Sequence, residues 1–154
     1  MFDLPVLEGR TSLVFAPMVT FINTSGSTLP YNNETGFGFL KLFYLTQHKE
    51  KNIKILDGIL ALEKNWNGND ANPFSLDLVT KAKSIINELK IQPKVFPTGD
   101  DSIQLDYEKA SGDYLEFEIY NDKIKCFSII NDIENTSILT TTSQIVDTIS
   151  AFYA

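Results

Sequence analysis

Apolar and polar positions alternate strictly in two stretches of the C-terminal half of the chain. Ile103, Leu105 and Tyr107 are interleaved with Gln104, Asp106 and Glu108, and Leu115, Phe117 and Ile119 with Glu116, Glu118 and Tyr120. A period of two sends successive side chains to opposite faces of a strand, so each stretch has one apolar and one acidic face. The pattern predicts strands over residues 102–108, 114–120 and 123–130, joined as an antiparallel meander. Asn121-Asp122 supplies a two-residue turn, since both residues tolerate positive φ, and sets Phe117 opposite Cys126 and Glu118 opposite Lys125. With Lys109 facing Asp113 around Ala110-Ser111-Gly112, Asp106 opposes Glu116, a like-charge pair that costs sheet stability.

A helical period governs residues 75–90, where Leu78, Val79, Ala82, Ile85, Ile86 and Leu89 form one apolar stripe. Asn72 or Ser75 is the cap, Pro73 lies in the entry, and Asp77 sits near the positive end of the dipole. Pro93 and Pro97 prevent continuation. A weaker helical pattern covers residues 52–64, with Asn52 as N-cap, Ile53, Leu56 and Leu60 on one side, and Gly58 costing about 1 kcal/mol relative to Ala. The stripe of residues 75–90 is expected to cover the apolar side of the meander. After Ile138 and the polar run 140–143, Ile145, Val146, Ile149 and Phe152 predict a last short helix that packs by Val146, Ile149 and Phe152.

The first 47 residues are apolar and sparsely charged, and hold six of the eleven phenylalanines. Aromatic and β-branched content predicts strands over residues 11–22 and 37–45, with loop between them; the same segment reads equally as an arm that orders on a partner. The whole is expected to be a single α+β domain over residues 1–154. It comprises an antiparallel β-meander packed against two or three helices over 48–154, and an extended or β N-terminal segment over 1–47. The phenylalanines of that segment also offer a surface for self-association.

Length changes this picture only by limiting it to one domain: 154 residues leave no room for separate catalytic and regulatory units. Charge changes it more. Thirteen basic side chains against twenty acidic ones give a net charge of −7, which opposes the counterion-release binding that nucleic acids require. The densest basic stretch, His48, Lys49, Lys51 and Lys54, is interrupted by Glu50 and reads as a solvated face. Residues 100–134 hold ten carboxylates and three lysines, so the acidity is concentrated on the meander.

Metal and catalytic signatures are sparse. Cys126 is the only cysteine and His48 the only histidine, so the chain builds no internal disulfide and no zinc site of three or four Cys or His ligands. The longest apolar run, 13–22, is broken by Pro17 and is too short to span a bilayer. Asp3 and Glu8 precede it, with Arg10 the only base, where a secretory signal carries positive charge, so a cytoplasmic location is expected. Glycosylation sequons at Asn23, Asn33 and Asn135 point the other way, but a chain this rich in Asn, Ser and Thr produces them by chance. Asn65, Asn67 and Asn69 resemble a calcium loop only superficially, with Gly68, Asp70 and Leu76 at the wrong positions. Gly36-Phe37-Gly38 lacks the third glycine of a dinucleotide loop. No cofactor is implied.

Two constellations remain. Asp106, Glu108, Glu116 and Glu118 share one strand face, suited to a basic protein surface or, as an alternative, to a divalent metal; the bland reading is a wet sheet face. Trp66, in Trp66-Asn67-Gly68 after the first helix, either closes the core or binds a ligand.

The run Leu62, Trp66-Asn67-Gly68, Ala71, Pro73, an amphipathic helix with Ala82, then Pro93, Val95-Phe96-Pro97-Thr98-Gly99 and Ser102-Ile103-Gln104, followed by Tyr107-Glu108-Lys109 and 113–119, resembles a group of small uncharacterised bacterial proteins. The resemblance spans residues 60–130. It implies a bacterial or phage origin and a compact α+β core with a variable front end, and carries no activity with it. The function expected from these features is non-enzymatic binding of another protein, of the inhibitor, immunity or antitoxin kind. A metal-dependent enzyme and a small-ligand sensor are the alternatives.

Overall fold

The computed structural model describes residues 33–154, which form an α+β fold of three helices and one five-stranded antiparallel sheet. The strand expected over 11–22 lies outside the described residues. Helix α1 spans Asn33–Leu60 and α2 spans Leu76–Glu88. Strands β1 (Lys94–Pro97), β2 (Ile103–Glu108), β3 (Tyr114–Ile119), β4 (Ile124–Ile130) and β5 (Ile133–Leu139) follow in sheet order, and α3 (Thr142–Tyr153) closes the chain.

Residues 37–45 are helical, not a strand as their aromatic content predicts. The stretch holds Leu40, Leu42 and Leu45 and no β-branched residue, and no proline interrupts the chain between Pro30 and Pro73. Helix therefore runs unbroken into the Lys- and Glu-containing segment behind it. Asn52 is consequently not an N-cap. It lies mid-helix and buried, with Leu56 and Ile59 on the same stripe, and its amide donates to Gln92 Oε1 at 3.1 Å and to the Pro93 carbonyl at 3.0 Å. Both bonds satisfy a polar group that would otherwise be costly inside the core. Further toward the start of α1, Leu42 and Tyr44 are exposed.

Helix α2 follows its sequence pattern closely. Ser75 is the cap, its hydroxyl accepting from the Leu78 amide at 3.2 Å, and Leu78, Val79, Ala82, Ile85 and Ile86 are buried. These side chains meet Val95, Ile103, Leu105, Tyr107, Leu115, Phe117, Ile119, Ile124 and Cys126 in one core. Helix α3 starts at a reciprocal capping box between Thr141 and Gln144 and seals the core with Ile145, Ile149 and Phe152, while Val146 is only partly buried.

The registers match the alternation. Phe117 pairs with Cys126, Glu118 with Lys125 and Asp106 with Glu116. Two strands escape the alternation. Strand β1 is four residues containing a proline, and β5 shows no buried face except at Leu139, so Ile138 belongs to a strand and not to the approach of the last helix. The dipeptide Asn-Asp closes two of the hairpins in different ways. Asn131 and Asp132 carry φ of 52° and 61°, whereas neither Asn121 nor Asp122 is among the positive-φ residues. The left-handed turn expected at 121–122 is thus found at 131–132. At 121–122, Lys81 Nζ donates to the carbonyls of Tyr120 and Asn121 at 2.6 and 3.2 Å and holds the bend from α2.

Candidate functional site

The helices cover one side of the sheet, and none of the side chains on the other side belongs to the core. That outer face is read directly from the registers. Across its middle run Lys94, Asp106, Glu116, Phe127 and Thr136; on one side of that row lie Phe96, Gln104, Glu118, Lys125 and Ile138, and on the other Glu108, Tyr114, Ile129 and Glu134. Five carboxylates stand among two lysines, and Phe96, Phe127, Ile129 and Ile138 add apolar surface. The four carboxylates singled out from sequence therefore do share one face, with Glu108 exposed and the other three half-buried.

Neutral donors hold the like-charge pair together. Gln104 Nε2 donates to Asp106 Oδ1 at 2.9 Å and to Glu116 Oε2 at 3.1 Å, and the Tyr114 hydroxyl donates to the same Glu116 oxygen at 2.8 Å. Burial, and then the bond to Glu116, push the Tyr114 phenol well above its ordinary range, so it remains a donor. Sequence reasoning missed both residues as partners of the acids. Their positions on the polar side of the alternation were legible; their reach to the carboxylates depends on rotamers.

Glu118 is neutralised differently. Lys125 Nζ lies 3.2 Å from Glu118 Oε2, and Tyr120 bridges the pair, donating to Glu118 at 2.9 Å and accepting from Lys125 at 2.9 Å. The Tyr120 bond and then Glu118 raise the Lys125 ammonium above its usual value. Glu108 pairs with Lys94 at 3.2 Å, with both side chains largely exposed, a geometry worth little on its own. Among the described residues no three His, Cys, Asp or Glu side chains converge as a metal ligand set.

Trp66 does not join this face. It sits half-buried in the α1–α2 loop, its ring centroid 5.8 Å from that of Phe74 and its indole donating to the Asn72 carbonyl at 3.2 Å. The asparagines around it serve the loop itself: Asn65 Oδ1 accepts from the Asp70 amide at 2.8 Å and Asn67 Oδ1 from the Asn69 amide at 2.8 Å. Asn72 in turn donates to Asp101 at 3.1 Å, and Asn67 Nδ2 lies 3.2 Å from where a Cβ on Gly99 would stand. The Trp66-Asn67-Gly68 and Thr98-Gly99 segments, far apart in sequence, thus meet as one loop contact.

An open groove of about 460 Å³ separates α1 from the β1–β2 end of the sheet, lined among others by His48, Lys51, Gln92, Lys94, Asp106 and Glu108. Two members of the basic stretch of α1, His48 and Lys51, therefore share this groove with Asp106 and Glu108, while Lys49 turns to α2 and donates to the Asn87 carbonyl at 2.7 Å. Cys126 lies on the inner face, where burial raises its thiol pKa and keeps it protonated. No helix of the described residues is long and apolar enough to cross a membrane. No family model, curated protein or solved structure gives a significant match to this chain.

Proposed function

We propose that this chain is a non-enzymatic binding partner of another protein, of the small inhibitor, immunity or antitoxin type and of bacterial or phage origin, acting in the cytoplasm. The observation that carries the reading is the outer sheet face. Its carboxylates are oriented by Gln104, Tyr114, Tyr120 and Lys125 and border exposed Phe96 and Ile138. Fixed charges beside apolar surface suit a partner with a basic patch. The charges guide encounter and reject acidic surfaces, and the apolar strip supplies area. The acids are already hydrogen-bonded within the face, so docking requires little reordering of them.

The metal-enzyme alternative uses the same carboxylates, and one comparison separates the two. Capture on the immobilised full chain is run beside a variant carrying Asp106→Asn, Glu116→Gln and Glu118→Gln. Docking predicts a protein that forms a stoichiometric complex with the unmodified chain, is released as salt rises and is lost from the variant. Calorimetry with Mg²⁺ and Mn²⁺ supplies the opposite outcome: tight stoichiometric metal binding lost in Glu116→Gln would replace docking with metal chemistry.

A further inference from the structure

The two edges of the sheet are built differently. Strand β1 is short, begins with Lys94 and ends with Pro97, the features that discourage another strand from pairing. Strand β5 has seven residues, no proline and one charge, Glu134, and six of its residues are exposed. Among the described strands it pairs only with β4.

The turn at Asn131-Asp132 determines which backbone groups that edge presents. In a two-residue hairpin with positive φ at both positions the closing pair, Ile130 and Ile133, is hydrogen-bonded, and alternate pairs follow suit. Ile133, Asn135, Ser137 and Leu139 therefore bond to β4. Glu134, Thr136 and Ile138 direct their N–H and C=O groups away from the sheet.

We infer that β5 is a self-association edge, pairing antiparallel with β5 of a second copy about a two-fold axis at Thr136. In this register Thr136 faces its own copy, and Glu134 faces the other chain's position 138. All three outward residues of each strand then exchange backbone bonds with outward residues of the other. Most side chains agree with the backbone: Ile133 meets Leu139, Asn135 meets Ser137, and Thr136 meets Thr136, a favourable cross-strand pair, while Glu134 beside the exposed Ile138 keeps its carboxylate in water. The two Glu134 carboxylates lie about 13 Å apart along the strands by the rise per residue, beyond a Debye length of about 8 Å at physiological salt. The result is one continuous ten-stranded sheet whose outer face stays open, so the inference stands or falls separately from the docking role.

Sedimentation equilibrium of the full chain, unmodified and with Thr136→Lys, tests this. The substitution sets two ammonium groups opposite each other at the axis and leaves every bond to β4 in place. A dimer in the unmodified chain that becomes a monomer in Thr136→Lys, with unchanged circular dichroism, is the expected result. Mild oxidation then checks the register. Thr136→Cys should give a disulfide-linked dimer and Asn135→Cys should not, with the unmodified chain as the control for Cys126. A monomer at every concentration overturns the inference, as does a dimer that survives Thr136→Lys or links equally through Asn135→Cys.

Discussion

Asp106 and Glu116 stand directly opposite one another on β2 and β3, and a single Gln104 amide donates to both. Two like charges in register normally weaken a sheet. Here a neutral donor takes the place of a cation, and Tyr114 adds a second bond to Glu116. The face stays acidic toward solvent while its internal repulsion is reduced.

Removing the donor should expose that repulsion. Gln104→Met keeps the length of the side chain and should cost about 1 to 2 kcal/mol in denaturant unfolding, the range for leaving half-buried acceptors unpaired. Glu116→Gln alone should be neutral or stabilising. Adding Glu116→Gln to Gln104→Met should recover part of the loss, a coupling of at least about 0.5 kcal/mol. Strict additivity of the two changes would show that Gln104 does not mediate the pair.

Phe117 is fully buried at the centre of the sheet, with its ring 6.2 Å from that of Tyr107. Phe117→Ala should cost about 3 to 5 kcal/mol through lost burial and the cavity left behind. A loss under about 1 kcal/mol would contradict the assignment of that face to the core.

Alkaline pH should destabilise the fold through its tyrosines. Burial raises the phenols of Tyr107 and Tyr114 above their ordinary value of 10.0. The contribution is fully present below the unfolded pKa and is lost as pH rises beyond it, because only the unfolded chain ionises there. Unfolding midpoints should fall above about pH 10, less steeply in Tyr114→Phe. Phenolate absorbance should show part of the tyrosine titration appearing only on unfolding, with that part smaller in Tyr114→Phe.

The two Asn-Asp hairpin turns, 121–122 and 131–132, should answer the same substitution oppositely. Asp132 has φ of 61°, so Asp132→Gly relieves a left-handed residue and should stabilise by about 0.5 to 1 kcal/mol. Asp122 has no positive φ, and Asp122→Gly should destabilise by a similar amount, about 0.4 to 1 kcal/mol, by loosening the unfolded chain. Equal effects at both sites, measured by thermal unfolding, would mean the turns are equivalent.

The parts of the fold legible in the sequence are those where one face is buried and the period is clean. The α2 stripe from Leu78 to Ile86 and the alternation through Leu105 and Phe117 gave elements, register and the opposition of Asp106 to Glu116. Strand β5 was illegible because neither of its faces is buried, so Ile133 and Ile138 carry no period. Residues 37–45 misled because aromatic content outweighed the absence of β-branched residues and of any proline break. At the candidate site, Asp106, Glu108, Glu116 and Glu118 could be placed on one face by counting. Gln104 and Tyr114 could not be recognised as their donors, since that depends on side-chain reach. Trp66 is ambiguous in sequence, and what the structure adds is its contact with Phe74 and its bond to the Asn72 carbonyl.

The docking role is tested most directly by the association rate between this chain and the protein it captures, followed across ionic strength for the unmodified chain and for Glu116→Gln. Electrostatic guidance by the outer face predicts a rate that falls steeply as salt rises, with Glu116→Gln starting lower and falling less, while dissociation changes little. A rate indifferent to salt and identical in the two proteins would contradict the assignment of this face as the docking surface.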